Sequence, residues 1–594
     1  MLPQKRLFEP CVRQQAFRGI LRLEISEGEH TMNAVVLAIT GLVAVFAGYR
    51  FYSRFIAEQI YRLDPDFETP SHAMRDDIDY VPTNKFVLWG HHFTAVAGAA
   101  PIIGPGIAVI WGWLPAFIWV VVGTIFFAGV HDFGAIWASV RNKAQSVGSL
   151  TGEVVSHRAR TLFMIVVFFL LLMVNAVFAV SISAEHVRVP SSVIPAWTAV
   201  FVAMVIGVLL YKVKVGIMWP TIIGTVILYA VIGLGEVFPL ELPAMIFGLG
   251  PQAQWILLLF FYAGVASMLP VWLLLQPRDY INGIQLIIGL GILYGAVLIS
   301  SPTIVAPAIN SNVPASAPPI FPLLFVTIAC GAISGFHGLV SSGTTSKQLD
   351  KETDARQVGY LGSAGEGALA LVAIICATAG FASFGEWEAM YSDYGNGAIE
   401  AFVQGGATIA SSGLGLSFTF AETLLTVMAI LFAGTTMDAG VRLQRYIIQE
   451  WGTIYNIPIL NNGYVATGVA VTACLILAFG ATPPGAPIGT GGMAIWPLFG
   501  TTNQLLAGLT LLVISTILVK LGRPSRYTLP PMIFVTTMAL ASALIQVRNL
   551  FAAGQYVLLT IDVAIIICAI FVMLESVSAF LRESRKAAAG TSAG

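Results

Sequence analysis

Two histidines, His91 and His92, stand side by side in an apolar stretch from Val81 to Gly112 that is long enough to cross a bilayer. Histidine titrates near neutral pH, and an ionisable group inside a span is costly unless it is used. The chemistry on offer is a proton relay or recognition of a carboxylate; an imidazole capped by a backbone carbonyl is the plain alternative. On a helix consecutive side chains point about 100° apart, so the pair cannot face one cavity, and His91 is favoured for the cavity mouth. A run of small residues follows (Ala95, Ala97, Gly98, Ala99, Ala100), then Pro101, Gly104 and Pro105. Proline removes a backbone donor and glycine removes bulk, so the helix is expected to open from Gly98 to Pro105 and free carbonyls toward a cavity. Discontinuous helices build transporter sites in this way. His91, His92, Gly98 and Pro101 are therefore substrate-binding candidates, with a leucine at Gly98 expected to intrude into the cavity.

Further groups could move protons. His131 and Asp132 form a couple near the expected cytoplasmic end of a span, read as a proton path or as a helix-end polar cluster. Glu366 lies between Gly365 and Gly367, either carrying a proton or pairing with Lys347 or Arg356. The relay candidates are His91, Glu366, His131 and Asp132. A metal site from His91, His92, His131, Asp132 and His337 would need several helices to converge, and no HExxH spacing is present; no metal is expected. Ser341, Ser342, Thr344 and Thr345 offer hard oxygen donors suited to sodium, or else simply allow close packing, since the same GTT triplet recurs at Gly434 and Gly500. Ser342 and Thr345, three apart, should share a helix face. Asn175, Asn503 and Gln504 read as helix bridges, and Asp438, Arg442 and Arg445 as a solvated cytoplasmic face. The acidic loop from Asp64 to Asp79 reads as a connector or as a latch pairing with Arg141 or Arg158. The five cysteines, Cys11, Cys330, Cys376, Cys474 and Cys568, are scattered and read as small core residues.

The elements that must position these groups are membrane helices. Of 594 residues 57% are hydrophobic and 10% charged, with a mean hydropathy of +0.82, against roughly 25% charged in soluble domains. An all-α polytopic membrane protein follows, and a net charge of −1 gives no nucleic-acid signature. Windows of roughly 20 apolar residues predict about fifteen transmembrane helices: 33–52, 86–110, 114–139, 161–183, 194–211, 216–235, 253–275, 284–301, 320–341, 358–383, 418–437, 463–481, 494–519, 528–547 and 555–580. With the loop 53–85 inside, every Lys and Arg after Met32 except Arg188 and Arg548 falls on the inner side, as the positive-inside rule requires. Residues 1–31 are polar and basic and conflict with that rule, so Met32 is the expected start. The seventh window, with Gly264, Ala266 and Ser267 before Pro270, and the Gly/Ser/Thr-rich ninth should also be broken, which adds Ser267 to the substrate-binding candidates. The second and seventh windows, five apart and opposite in direction, predict an inverted repeat. The expected units are the polar extension 1–31, a first span with its acidic loop (32–85), a transport core (86–383) and additional helices (384–594).

The string TPSHAMRDDIDYVPTNKFVLWGHHFTAVAGAAPIIGP, with AGVHDF, GSLTGEV, SGFHGLVSSGTTSKQL, GYLGSAGEGALA, AGTTMDAGVRLQRYIIQE and WPLFGTTNQLLAGL after it, resembles the carbon starvation protein A family over nearly everything beyond Met32. The resemblance implies an inner-membrane importer of peptides or pyruvate, used when carbon is scarce, with a core similar to the LeuT-like five-plus-five inverted repeat and extra helices. It further implies no cofactor, a coupling ion that is H+ or Na+, and a sodium site between the second and ninth spans drawing on Ala97, Ser341, Ser342, Thr344 and Thr345. Lipid is the other expected partner. A membrane sensor without transport and an intramembrane metalloenzyme are the competing classes. No GxxxxGK[ST] loop argues for a primary pump.

Overall fold

In the computed structural model the structure describes residues 32–76, 79–395, 398–482 and 487–591. The extension 1–31, with Cys11, and Asp77 of the acidic loop lie outside them. Among the described residues twelve helices are long and apolar enough to cross a membrane, thirteen if one bent pair counts as a single span. Fifteen is therefore too many by this measure. The seventh and ninth windows coincide with helices that are cut short by backbone breaks, where proline and glycine interrupt the ladder.

The described residues open with α1 (Ala34–Tyr61), followed by α2 (Lys85–Ala97) and α3 (Ala100–Trp111), which meet at a 47° bend. Gly98 makes the bend, at φ +52° and ψ −162°, a conformation that glycine alone adopts cheaply. Next come α4 (Trp113–Arg141), α5 (Val147–Val154), α6 (His157–Arg188), the hairpin of α7 (Pro190–Val213) and α8 (Met218–Val237), α9 (Pro251–Met268) and α10 (Leu275–Ser300). The ninth window splits into α11 (Ile320–Thr327) and α12 (Gly335–Val340), and α12 runs on through a π-helical turn, Ser341–Thr345. Then follow α13 (Glu352–Ala379), α14 (Phe384–Met390), α15 (Ala398–Leu414), α16 (Phe418–Ile454), α17 (Gly463–Gly480), α18 (Gly492–Lys520), α19 (Leu529–Ala552) and α20 (Tyr556–Thr591).

The long helices α6 and α16 are largely buried and pack on each other at the centre, which is why their apolar residues run all the way round. The two breaks face one another beside them. A Cβ on Gly104 of α3 would lie 2.5 Å from the Thr327 carbonyl oxygen, and one on Gly331, at φ +89°, would lie 3.5 Å from Pro101 Cβ. The helix whose interruption meets that of the second window is thus the ninth. Helix α15 had no counterpart among the windows; it lies against α3, α10, α13 and α16, with Gly405 so close to Cys376 that a Cβ would sit 2.0 Å from its carbonyl oxygen.

The acidic loop is pinned to the connection between α12 and α13. Ser71 Oγ donates to Leu349 O at 2.7 Å, and His72 Nε2 lies 2.9 Å from Asp350 Oδ1. Arg141 pairs with the fully buried Glu352 through both guanidinium arms, one at 2.7 Å, and stacks 4.4 Å over the Phe67 ring. Its partner is therefore Glu352 and not a carboxylate of the loop, while Arg158 reaches Glu575 at 3.7 Å. Glu352 also accepts the Asp64 N–H at 2.6 Å. Removing one partner of a buried pair leaves the other charge uncompensated. Glu352→Ala is expected to cost about 3 kcal/mol, read as a lower unfolding temperature in detergent; an unchanged transition would exclude a structural role for this pair.

Candidate functional site

Three helices converge on one buried polar chain. The π-helical turn at Thr124–Ala128 in α4 precedes His131 and Asp132, both fully buried. Helix α12 supplies His337 just after the break, and α13 supplies Ser363 and Glu366. Asp132 Oδ1 lies 2.7 Å from His131 Nδ1, Asp132 Oδ2 lies 2.7 Å from His337 Nδ1, and Ser363 Oγ donates to Oδ2 at 2.5 Å. A carboxylate only accepts, so both rings turn their Nδ1–H toward it. That leaves His337 Nε2 with a lone pair, facing Glu366 Oε2 at 3.2 Å. Two lone pairs cannot face each other at that distance in a dry interior. A proton on either group resolves the contact; the Cys330 thiol, within 4.8 Å of the same two atoms, is the other donor at hand.

The α18 residues Asn503 and Gln504 hold the break open beside this chain. Asn503 Oδ1 accepts the Phe336 N–H at 2.9 Å, its Nδ2 donates to Ser334 Oγ at 3.0 Å, and Gln504 Nε2 donates to Phe325 O at 2.5 Å. Backbone groups freed on both sides of the interruption are thereby satisfied. The donor atoms of Cys330, His337 and Glu366 lie within 4.8 Å of one another, the one such group of three among the described residues. A metal held there would compete for the His337 nitrogen that faces Glu366.

The adjacent histidines diverge, as their 100° separation requires. His92 is fully buried, its Nδ1 2.8 Å from Thr345 Oγ1. His91 lines a cavity of about 370 Å³ between α2, α6, α10, α12 and α16, with its Nδ1 3.4 Å from Asp279 Oδ2. Gly98 and Pro101 are buried at the facing breaks and are not on the cavity wall. A Cβ on Gly98 would lie 2.7 Å from Thr436 Oγ1 of α16, a buried hydroxyl with no hydrogen-bond partner in the structure. Ser267 is turned away from the cavity: its hydroxyl donates to Gly264 O at 2.9 Å and lies 3.3 Å from Thr467 Oγ1 of α17.

The hydroxyls proposed for a cation do not converge. Ser342 Oγ donates to Gly338 O at 2.6 Å and accepts the Val147 N–H at 3.0 Å, whereas Thr345 serves His92. Ser341 is buried without a partner, and Thr344 faces the cavity. The wider π-helical turn places Ser342 and Thr345 on different faces, which the α-helical spacing rule did not anticipate. Ala97 ends α2 next to the bend, where the facing helix is α16 rather than the ninth window.

Other expectations are corrected by burial. Glu366 pairs with His337, while Lys347 lies 3.7 Å from Asp79 and Arg356 bonds Ser53 and Tyr49. His131 and Asp132 are an interior cluster rather than a helix end. Asp438, Arg442 and Arg445 are 2%, 8% and 9% exposed, not solvated: Asp438 pairs with Arg278, and Arg442 Nη2 donates to Ala266 O and Leu269 O at 2.8 Å, capping the broken end of α9. The bridging reading of Asn175 has a geometric counterpart in its 3.2 Å bond to Gln444. Arg278 and Asp279 escaped notice because they fall between two hydropathy windows; a charged Arg–Asp pair in so short a connector was the available signal.

The chain matches the family described as carbon starvation protein CstA over residues 33–393 and 382–542. It belongs to the CstA family. This CstA-family chain is 33% identical to the peptide transporter CstA of Campylobacter jejuni over 581 residues, covering 87% of the one and 81% of the other. It is 32% identical to the peptide transporter CstA of Escherichia coli K12 over 561 residues, 84% and 79% of the two chains. It is 30% identical to the pyruvate/proton symporter BtsT of the same organism over 582 residues, again 84% and 79%. Among solved structures it is similar to MhsT in complex with L-phenylalanine, with a TM-score of 0.43 and 13% identity over 83% of this chain and 99% of that one.

Proposed function

We propose that this multi-pass CstA-family transporter imports short peptides, pyruvate or both across the bacterial inner membrane under carbon scarcity, coupled to protons and working by alternating access. It is a transporter and not an enzyme. The observation that carries the proton reading is the approach of His337 Nε2 to Glu366 Oε2, 3.2 Å apart and continuous with Asp132 and His131. A buried acid–base chain of this kind is expensive unless it is used. Sodium coupling has less support, because Ser342 and Thr345 are committed to separate partners. A relative named as a pyruvate/proton symporter favours the proton.

The finer architecture we propose is an inverted repeat in which α2/α3, α4, α6, α9 and α10 correspond to α11/α12, α13, α16, α17 and α18, with the α7–α8 hairpin inserted. Each unit opens on a broken helix with a positive-φ glycine, Gly98 or Gly331. In each, the second helix carries a π-helical turn, Thr124–Ala128 or Arg356–Tyr360, and the third is the longest, 32 or 37 residues. This core extends past residue 383 to α18. With the loop 53–85 inside, the cavity opens toward the cytoplasm, an inward-facing state in the alternating-access cycle.

The test is uptake of labelled dipeptide and labelled pyruvate into proteoliposomes with and without an inward proton gradient. The gradient should accelerate uptake and substrate should in turn carry protons inward, seen with a trapped pH dye. Uptake that ignores the gradient and follows sodium would overturn the proton reading.

A further inference from the structure

We propose that Asp279 is the group that selects ammonium-bearing substrates, so that the cavity takes peptides with a free amino terminus in preference to monocarboxylates such as pyruvate. The assignment rests on the transport reading above and decides between its two substrate classes. Asp279 is 3% exposed, lines the cavity, and its Oδ1 has no hydrogen-bond partner among the described residues. Its Oδ2 has one neighbour, His91 Nδ1 at 3.4 Å, on the facing wall. The sequence-adjacent guanidinium makes its hydrogen bonds elsewhere. Arg278 is directed to Asp438 and to Tyr262 Oη, the latter at 2.6 Å, and Gly434 makes room for it, since a Cβ there would lie 2.5 Å from Arg278 Nη2.

A carboxylate with an open oxygen at membrane depth is costly, and it faces a space into which a ligand can come. When ionised, Asp279 repels an anion that lacks a positive group, whereas an α-ammonium would supply its missing donors as a charge-assisted hydrogen bond. The opposite end of a peptide has a partner too. Arg442 lines the same cavity, and its Nε is buried and unpartnered. The volume of about 370 Å³ falls within the range of pockets for ligands well beyond a three-carbon acid. Repulsion of the wrong substrate as well as attraction of the right one makes the discrimination.

The experiment is counterflow of radiolabelled dialanine in proteoliposomes of the full chain, with unlabelled dialanine, N-acetyl-dialanine and pyruvate as competitors. Dialanine should compete at least about tenfold better than either of the others, since a site built around a polar group rejects analogues that lack its counterpart. Asp279→Asn should weaken dialanine by about tenfold and abolish its advantage over the acetylated form, while Asp279→Glu should keep that advantage. Equal competition by dialanine and N-acetyl-dialanine in the unaltered protein overturns the assignment, and that comparison needs no variant to fold. Retained discrimination in Asp279→Asn overturns it as well. Transport of pyruvate but not dialanine leaves the transporter reading standing and removes this one; transport of neither removes both.

Discussion

Glu366→Gln is expected to reduce uptake driven by a proton gradient by about 100-fold, while counterflow at equal pH, which moves no net proton, continues. Glutamine keeps the shape of the side chain and offers His337 Nε2 an N–H, so the buried contact at 3.2 Å can persist. What it loses is the capacity to give the proton up. Asp132 is a less clean target, since its carboxylate receives His131, His337 and Ser363 together. An asparagine there would set its amide N–H against those donors and lower abundance as well as transport. Gradient-driven uptake within a factor of about two of the unaltered protein, measured on Glu366→Gln at matched abundance, would reduce the chain from Glu366 to His131 to a packing element.

Gly98→Leu should abolish uptake and also lower the amount of protein in the membrane. The backbone at Gly98 is in a region that L-residues rarely enter, and a side chain there would strike Thr436 Oγ1 at 2.7 Å and approach Phe178 Cε2 at 3.7 Å. From the sequence, the added bulk was expected to enter a cavity; the structure puts packed α6 and α16 there instead. The two causes can be separated. Thr436→Ala removes the steric obstacle without relieving the backbone, so the pair Gly98→Ala and Thr436→Ala should recover part of the loss that Gly98→Ala causes alone. Wild-type uptake by Gly98→Leu, assayed in the same liposomes, would show that the bend between α2 and α3 has no part in transport.

Each of these arguments draws on residues that were visible in the sequence in unequal degree. The helices themselves, the bend at Gly98 and the divergence of His91 from His92 follow from hydropathy, from missing backbone donors and from the 100° turn per residue. These are local properties, legible without knowing what lies opposite. The ninth window's break was also signalled by its glycines, and its place beside the second window came only through the family resemblance. Ser342 and Thr345 were paired by α-helical spacing and separated by a π-helical turn, a local deviation that composition does not announce.

The sequence by itself determined that this chain is a many-helix membrane protein with ionisable groups at depth, because hydrocarbon admits so few alternatives. It also supplied the family resemblance. Only the tertiary structure decided which of those groups meet. His131, Asp132, His337 and Glu366 come from three helices far apart in the chain, and Asp279 acquires its meaning from an open cavity and from an Arg278 already committed to Asp438. Burial, partner and proton are properties of the assembled interior, where a single unmatched lone pair costs more than any helix propensity.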